Sequence, residues 1–152
     1  MADDALVFHP ARLGEVIAAR AGAHPARGPE GLVVRVARVD GPRRNAGQTA
    51  TAYVRSLGYH VPPDREWYPI ERWQALDLLA SVLTHDLAYH YPLIAPHLAE
   101  ELAAEFLALF APGSVLFAAG DDIGSISDAT FDKGLVAVDA ETVGIFWVFD
   151  ED

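Results

Sequence analysis

The strongest constraint on the fold of this chain is an apolar stretch at residues 143–149. In an extended strand, successive side chains point to opposite sides. Both sides here are apolar, with Val143, Ile145, Trp147 and Phe149 on one and Phe146 and Val148, beside Gly144, on the other. Such a strand must be covered on both sides, either by helices of its own chain or by another protein on one of them.

Two further β-rich runs, at about 115–119 and 135–139, predict strands in the same region. The turn around 139–142 predicts that the last two strands form an antiparallel hairpin. Ahead of them, Pro69 opens a helix that we expect to reach about residue 89, and a second helix is expected over about 95–110. Helical spacing places Trp73 on the apolar arc of the first helix.

The first half of the chain has shorter elements. We expect a strand at 6–8, a helix at 10–21, a strand at 32–39 and a helix at 46–57 that Asn45 caps and Gly58 ends. Helices followed by a run of strands predict an α+β fold, with an N-terminal helix/strand region, a central helical hairpin and C-terminal antiparallel strands. The whole chain, 1–152, is expected to be one domain, and a sub-boundary near 62–69 is the alternative division.

Charge is divided unevenly along the sequence. The net charge is −11, yet ten of the 11 basic residues lie between Arg12 and Arg72, and only Lys133 follows. Residues 1–72 carry 10 basic and 8 acidic groups, whereas 73–152 carry 1 and 14. This surplus of acid opposes binding to a phosphate backbone, so we expect no nucleic-acid partner. It favours either a solubilising surface or attraction of a cationic partner.

Several classes of chemistry have no support in the sequence. The chain has no cysteine, so disulfides and thiolate sites are excluded within it. Phosphate-loop, dinucleotide-binding and nucleophile-elbow motifs are absent. The first residues do not resemble a secretion signal and no apolar run is long enough to span a bilayer, so we expect a cytoplasmic protein with no membrane partner. We predict no cofactor and no enzymatic activity.

One alternative is a small metal-dependent hydrolase. The His85-Asp86 dipeptide is similar, over a few residues, to the metal-binding signature of HD-type phosphohydrolases. His90 follows Asp86 at helical spacing, and His97 and Glu101 form another i, i+4 pair, so these four residues are its candidate ligands. Against it, a helix directs His85 and Asp86 to different sides, and a structural Asp86 that accepts backbone N–H groups is the favoured interpretation.

The acidic residues predict a partner-binding surface more directly. The segment 96–110 contains Glu100, Glu101 and Glu105 but no Lys or Arg. An aromatic strand that runs into a terminal Asp-Glu-Asp combines apolar anchors with a charged rim. The residues predicted to contact a partner are Glu101, Glu105, Asp121, Asp122, Asp128, Trp147, Phe149, Asp150, Glu151 and Asp152.

The chain resembles the bacterial immunity proteins of polymorphic and contact-dependent toxin systems. The resemblance rests on a small, acidic, cysteine-free chain and on its last quarter, FDKGLVAVD at 131–139 and GIFWVFDED at 144–152. It implies a cytosolic, non-enzymatic protein that neutralises a cognate toxin, often a basic nuclease or deaminase, by covering the toxin's active site. A homo-oligomeric module paired through the 143–149 strand is a further alternative, and the oligomeric state stays open.

Overall fold

The computed structural model describes residues 2–3, 32–39, 44–62, 65–85, 87, 92–120, 126–127 and 131–150. These residues form six strands and three helices: β1 (Ala2–Asp3), β2 (Leu32–Arg38), α1 (Ala46–Ser56), β3 (Tyr68–Ile70), α2 (Arg72–Thr84), α3 (Pro96–Leu107), β4 (Val115–Gly120), β5 (Phe131–Val138) and β6 (Thr142–Asp150). The α+β class predicted from the sequence is confirmed. The strand expected at 6–8 and the helix expected at 10–21 lie outside the described residues.

The six strands form one antiparallel sheet in the order β1-β2-β6-β5-β4-β3. The predicted β5–β6 hairpin is present, and Asp139 shapes its turn, because its Oδ1 accepts the N–H groups of Glu141 and Thr142 at 2.9 and 2.8 Å. β6 pairs with β2 along one edge and with β5 along the other. Since both of its edges are used within the described sheet, β6 could pair with a second copy only by displacing β2 or β5. The homo-oligomer alternative through 143–149 stays a prediction.

Helices of the chain itself cover both sides of the sheet. On one side, Leu79 and Leu83 of α2 and Phe106 of α3 pack in a cluster with Phe146 and Val148 of β6. On the other side, α1 and the segment that follows it pack against a second cluster, whose buried members include Tyr53, Val54, Val61, Ile145 and Trp147. The two apolar sides of the last strand are therefore explained by two helical layers.

The ends of α1 follow the sequence closely. Asn45 Oδ1 accepts the N–H of Gln48 at 2.8 Å, and Gln48 Oε1 accepts the N–H of Asn45 at 3.1 Å, which completes a capping box. Gly58 follows the helix at a φ of 93°, a conformation that glycine adopts without a steric penalty. The predicted start and end of this helix are confirmed.

The helix predicted over 69–89 is shorter in the structure. Pro69 belongs to β3, at the edge of the described sheet, where a residue without an N–H group is tolerated. α2 begins at Arg72 and ends at Thr84, and His85 then forms an isolated β-bridge with Pro92. Pairing of the flanking segments with other backbone therefore limits the helix at both ends.

Arg72 ties the two helices of the same layer together. Its Nη1 donates to the carbonyl oxygen of Leu107 at 3.0 Å, and its Nη2 lies 3.4 Å from the carbonyl oxygens of Phe110 and Ala111. The start of α2 thus lies at the end of α3, so the two helices run antiparallel. In the part of the chain that the structure describes, no helix is long and apolar enough to cross a membrane.

Candidate functional site

Two residues predicted to contact a partner lie in the interior. Trp147 is fully buried, and its Nε1 donates to Oδ1 of Asp132 at 3.2 Å. Asp150 is 1% exposed, and its Oδ2 accepts the N–H of Leu87 at 2.8 Å, which fastens the chain beyond α2 to the end of β6. We therefore correct the expectation for both residues, because neither presents its side chain to a partner in this fold.

The three other predicted contacts that the structure describes, Phe149, Glu101 and Glu105, do not form one surface. Phe149 is half-buried beside α1, where its ring stacks on Tyr59 with 5.4 Å between centroids. Glu101 is exposed and Glu105 half-buried on α3, which covers the opposite side of the sheet. The sequence predicts one surface that combines the aromatic strand with the acidic helix. In the structure, the sheet lies between Phe149 and α3.

Other candidate residues lie outside the part of the chain that the structure describes. The predicted partner contacts Asp121, Asp122, Asp128, Glu151 and Asp152 are among them, as are the candidate metal ligands Asp86 and His90. His97 and Glu101 are exposed one turn apart on α3. Within the described ranges no group of three or more His, Cys, Asp or Glu side chains could hold a metal ion. The hydrolase alternative stays a prediction.

The outer side of α2 and α3 carries an exposed indole among acidic residues. Trp73 is 66% exposed, which corrects its placement on the apolar arc, because α2 buries Ala75, Leu79, Val82 and Leu83 instead. Asp77 follows Trp73 by one turn and is exposed beside it. We use the name acidic face for five exposed residues of this helical layer: Glu71, Trp73, Asp77, Glu100 and Glu101. Because α2 and α3 run antiparallel, Glu71 and Trp73 lie toward one end of the layer and Glu100 and Glu101 toward the other.

The charge of this helical layer is strongly negative. Among the described residues, α2, its N-cap and α3 contain five acidic residues and one arginine, Arg72. The guanidinium of Arg72 bonds to backbone carbonyls at the end of α3, where the helix dipole is negative. Its positive charge is therefore directed at the backbone of α3.

The α1 side of the sheet contains a cleft of about 530 Å³ whose lining residues carry positive charge. We call it the arginine cleft, and its lining residues are Arg44, Asn45, Gly47, Gln48, Thr51, Ala52, Arg55, Arg65, Trp67 and Phe117. None of these lining residues is acidic. Residues 44–65 contain three arginines and a single acidic residue, Asp64.

Hydrogen bonds and ring contacts fix the walls of the cleft. Nε and Nη2 of Arg55 both donate to the carbonyl oxygen of Val61, at 3.1 and 2.6 Å. The guanidinium of Arg65 lies 4.5 Å from the ring centroid of Trp67, whose Nε1 donates to Oγ1 of Thr51 at 2.8 Å. Burial lowers the pKa of Arg65, and the nearby carboxylate of Asp132 opposes that shift.

Neither surface was identified from the sequence. A signal for the cleft does exist in α1, where Gly47, Thr51 and Arg55 recur every four residues and so lie along one side of the helix. The facing wall, with Arg65 and Trp67, comes from a later loop, and only the tertiary structure places this loop opposite α1. Comparison of the chain with protein-family models, curated proteins and solved structures gave no match.

Proposed function

We propose that this protein is a non-catalytic binding protein that captures a basic protein through its acidic face. The observation that carries the proposal is Trp73, a large aromatic side chain that is 66% exposed on a negatively charged helical layer. Residues of this type are the commonest centres of protein–protein interfaces, because their burial in a partner contributes much of the binding free energy.

The surrounding charge determines what kind of partner this face attracts. Asp77 lies one turn after Trp73 on α2, Glu71 is the exposed N-cap of that helix, and Glu100 and Glu101 are exposed on α3. A field of one sign raises the association rate of an oppositely charged partner and disfavours partners of the same sign. The partner should therefore present a cationic surface with an apolar recess for the indole.

The acidic face is also held rigidly. Leu79 and Leu83 of α2 and Phe106 of α3 are fully buried against the sheet, and Arg72 links the two helices. A preorganised surface loses less conformational entropy when it binds. Little rearrangement is expected on complex formation.

The resemblance to immunity proteins supports the same function and suggests the class of partner. In such systems the partner is a toxin domain, often a basic nuclease or deaminase, whose active site the immunity protein covers. Such a domain is cationic because it binds phosphates, and it would complement the acidic face. The protein would then act in the cytoplasm as a toxin inhibitor.

The test is co-expression with the product of the adjacent gene, followed by co-purification and a measured Kd at low and high salt. Trp73→Ala should weaken the complex at least roughly tenfold through faster dissociation. The double change Glu100→Gln and Glu101→Gln should slow association and reduce its salt dependence.

Two matched controls separate this surface from the rest of the protein. Tyr68→Ala removes another exposed aromatic residue and Glu141→Gln another exposed carboxylate, neither within the acidic face. Both should leave the Kd unchanged. The proposal fails if the adjacent gene product does not bind, or if binding is indifferent both to salt and to Trp73→Ala.

A further inference from the structure

A second binding site, independent of the proposed partner surface, lies on the other side of the sheet. We propose that the arginine cleft binds a small organic molecule that carries more than one phosphate group. The cleft volume of about 530 Å³ lies within the range of small-molecule sites, roughly 300–1,000 Å³. That size favours a ligand comparable to a nucleotide over a protein surface.

Two arginines of the cleft come from the two ends of α1. Arg44 precedes α1 and Arg55 lies in its last turn, eleven residues later. At 1.5 Å per residue their backbones are about 16 Å apart, so the two side chains approach the cleft from opposite ends. A ligand with more than one phosphate group offers each of the two arginines an anionic partner.

Arginine is suited to this chemistry. Its planar guanidinium offers five N–H donors and forms paired hydrogen bonds with phosphate oxygens. The two bonds of Arg55 to the carbonyl oxygen of Val61 hold its guanidinium in place without neutralising its charge. Gln48, Asn45 and Thr51 add polar groups along the same wall.

The opposite wall gives the organic part of the ligand an apolar surface. Trp67 and Phe117 pack with 5.7 Å between ring centroids, and both line the cleft. Arg65 lies over Trp67, but the buried carboxylate of Asp132 partly offsets its charge. Arg44 and Arg55 should therefore contribute most of the attraction for the anion.

The chain as a whole opposes non-specific anion binding. With a net charge of −11, the protein repels anions at long range, so an anion that binds must gain its affinity locally. The described lining residues provide three positive charges and no negative one. Such a local reversal of charge is what a dedicated anion site requires.

The experiment is calorimetric titration of the full chain with ADP at about physiological salt, where unspecific attraction is screened beyond roughly 8 Å. Adenosine serves as the uncharged analogue and citrate as a polyanion without phosphate. ADP should bind, adenosine should show no binding, and citrate should bind more weakly than ADP. Arg44→Gln and Arg55→Gln should each weaken ADP binding roughly tenfold.

Arg38→Gln is the matched control, because Arg38 is exposed on β2 and does not line the cleft. It should leave ADP binding unchanged. If Arg55→Gln loosens the fold, the exposed Arg44 decides the question, since its substitution leaves the core intact. The inference is overturned if ADP does not bind at millimolar concentration, if adenosine or citrate binds equally well, or if Arg38→Gln weakens binding as much as Arg44→Gln.

Discussion

The indole Nε1 of Trp147 donates a hydrogen bond to the carboxylate of Asp132 at 3.2 Å, and both side chains are buried. Oδ2 of Asp132 also accepts the N–H groups of Ile126 and Ser127 at 3.2 Å and the Ser127 hydroxyl at 2.8 Å. A buried carboxylate is tolerated only when such donors satisfy it. Asp132 thus joins β5, β6 and the 126–127 segment in the interior.

Replacing Asp132 should be costly for stability. Asp132→Ala leaves the indole N–H and two backbone N–H groups without their acceptor, and we expect the free energy of unfolding to fall by about 2–4 kcal/mol. Urea denaturation at neutral pH measures the loss. Glu141→Ala, at an exposed turn, should change it by less than about 0.5 kcal/mol. Equal effects of the two variants would contradict a structural role for Asp132.

Gly134 provides the space that Trp147 needs. The two residues face each other across β5 and β6, and a Cβ atom at 134 would overlap the Phe146 carbonyl oxygen and lie 2.6 Å from the Trp147 Cα. Because these contacts are with backbone, Gly134→Ala should destabilise the fold by roughly 1–3 kcal/mol. Gly113→Ala, where nothing lies within 4 Å, should be close to neutral. Thermal unfolding of both variants checks the difference.

Arg72 should contribute to stability through the carbonyl groups that it binds. Arg72→Gln removes the donors to the end of α3 and a positive charge from the negative end of that helix. We expect a loss of roughly 1 kcal/mol in the free energy of unfolding. Arg38→Gln removes an equal charge from an exposed strand position and should cost less than half as much. Similar losses would assign the effect to net charge.

Local patterns predicted much of the fold. The helix cap at Asn45, the helix end at Gly58 and the 139–142 turn depend on neighbours in sequence, and all three are present. The last strand also indicated correctly that both of its sides must be covered. The strands that pair with it could not be predicted, because the strand order of the sheet depends on the whole chain.

The candidate site was harder to predict from the sequence, because it also depends on contacts between residues that are far apart in the chain. The exposure of Trp73 depends on which stripe of α2 faces the sheet, and its arc of apolar residues is wide enough to fit more than one orientation. Asp150 belongs to an acidic terminal run, but it lies at the end of β6, where the N–H of Leu87 reaches it. A contact between residues so far apart in the chain produces no recognisable pattern in the neighbouring sequence.

The uneven charge along the chain becomes a difference between the two helical layers. α1 and the segments on either side of it carry Arg44, Arg55 and Arg65, whereas α2, its N-cap and α3 carry five acidic residues and one arginine. Because the sheet lies between the layers, the two charged surfaces are kept apart. A cationic protein and a small anion could therefore occupy the molecule together without competing.

The pH dependence of stability should reveal the environment of Tyr59. Burial raises the pKa of Tyr59 above its ordinary value of 10.0, and Arg35 partly opposes the shift. Because the unfolded chain loses this proton first, the associated stability is intact below about pH 10 and is lost as the pH rises through the pKa of the folded state. Tyr59→Phe cannot ionise but keeps a ring to stack on Phe149. The Tm of Tyr59→Phe should therefore fall less than that of the original protein between about pH 9 and about pH 11, with every other tyrosine common to both. A parallel decline of the two Tm values would show that Tyr59 titrates as it does in the unfolded chain.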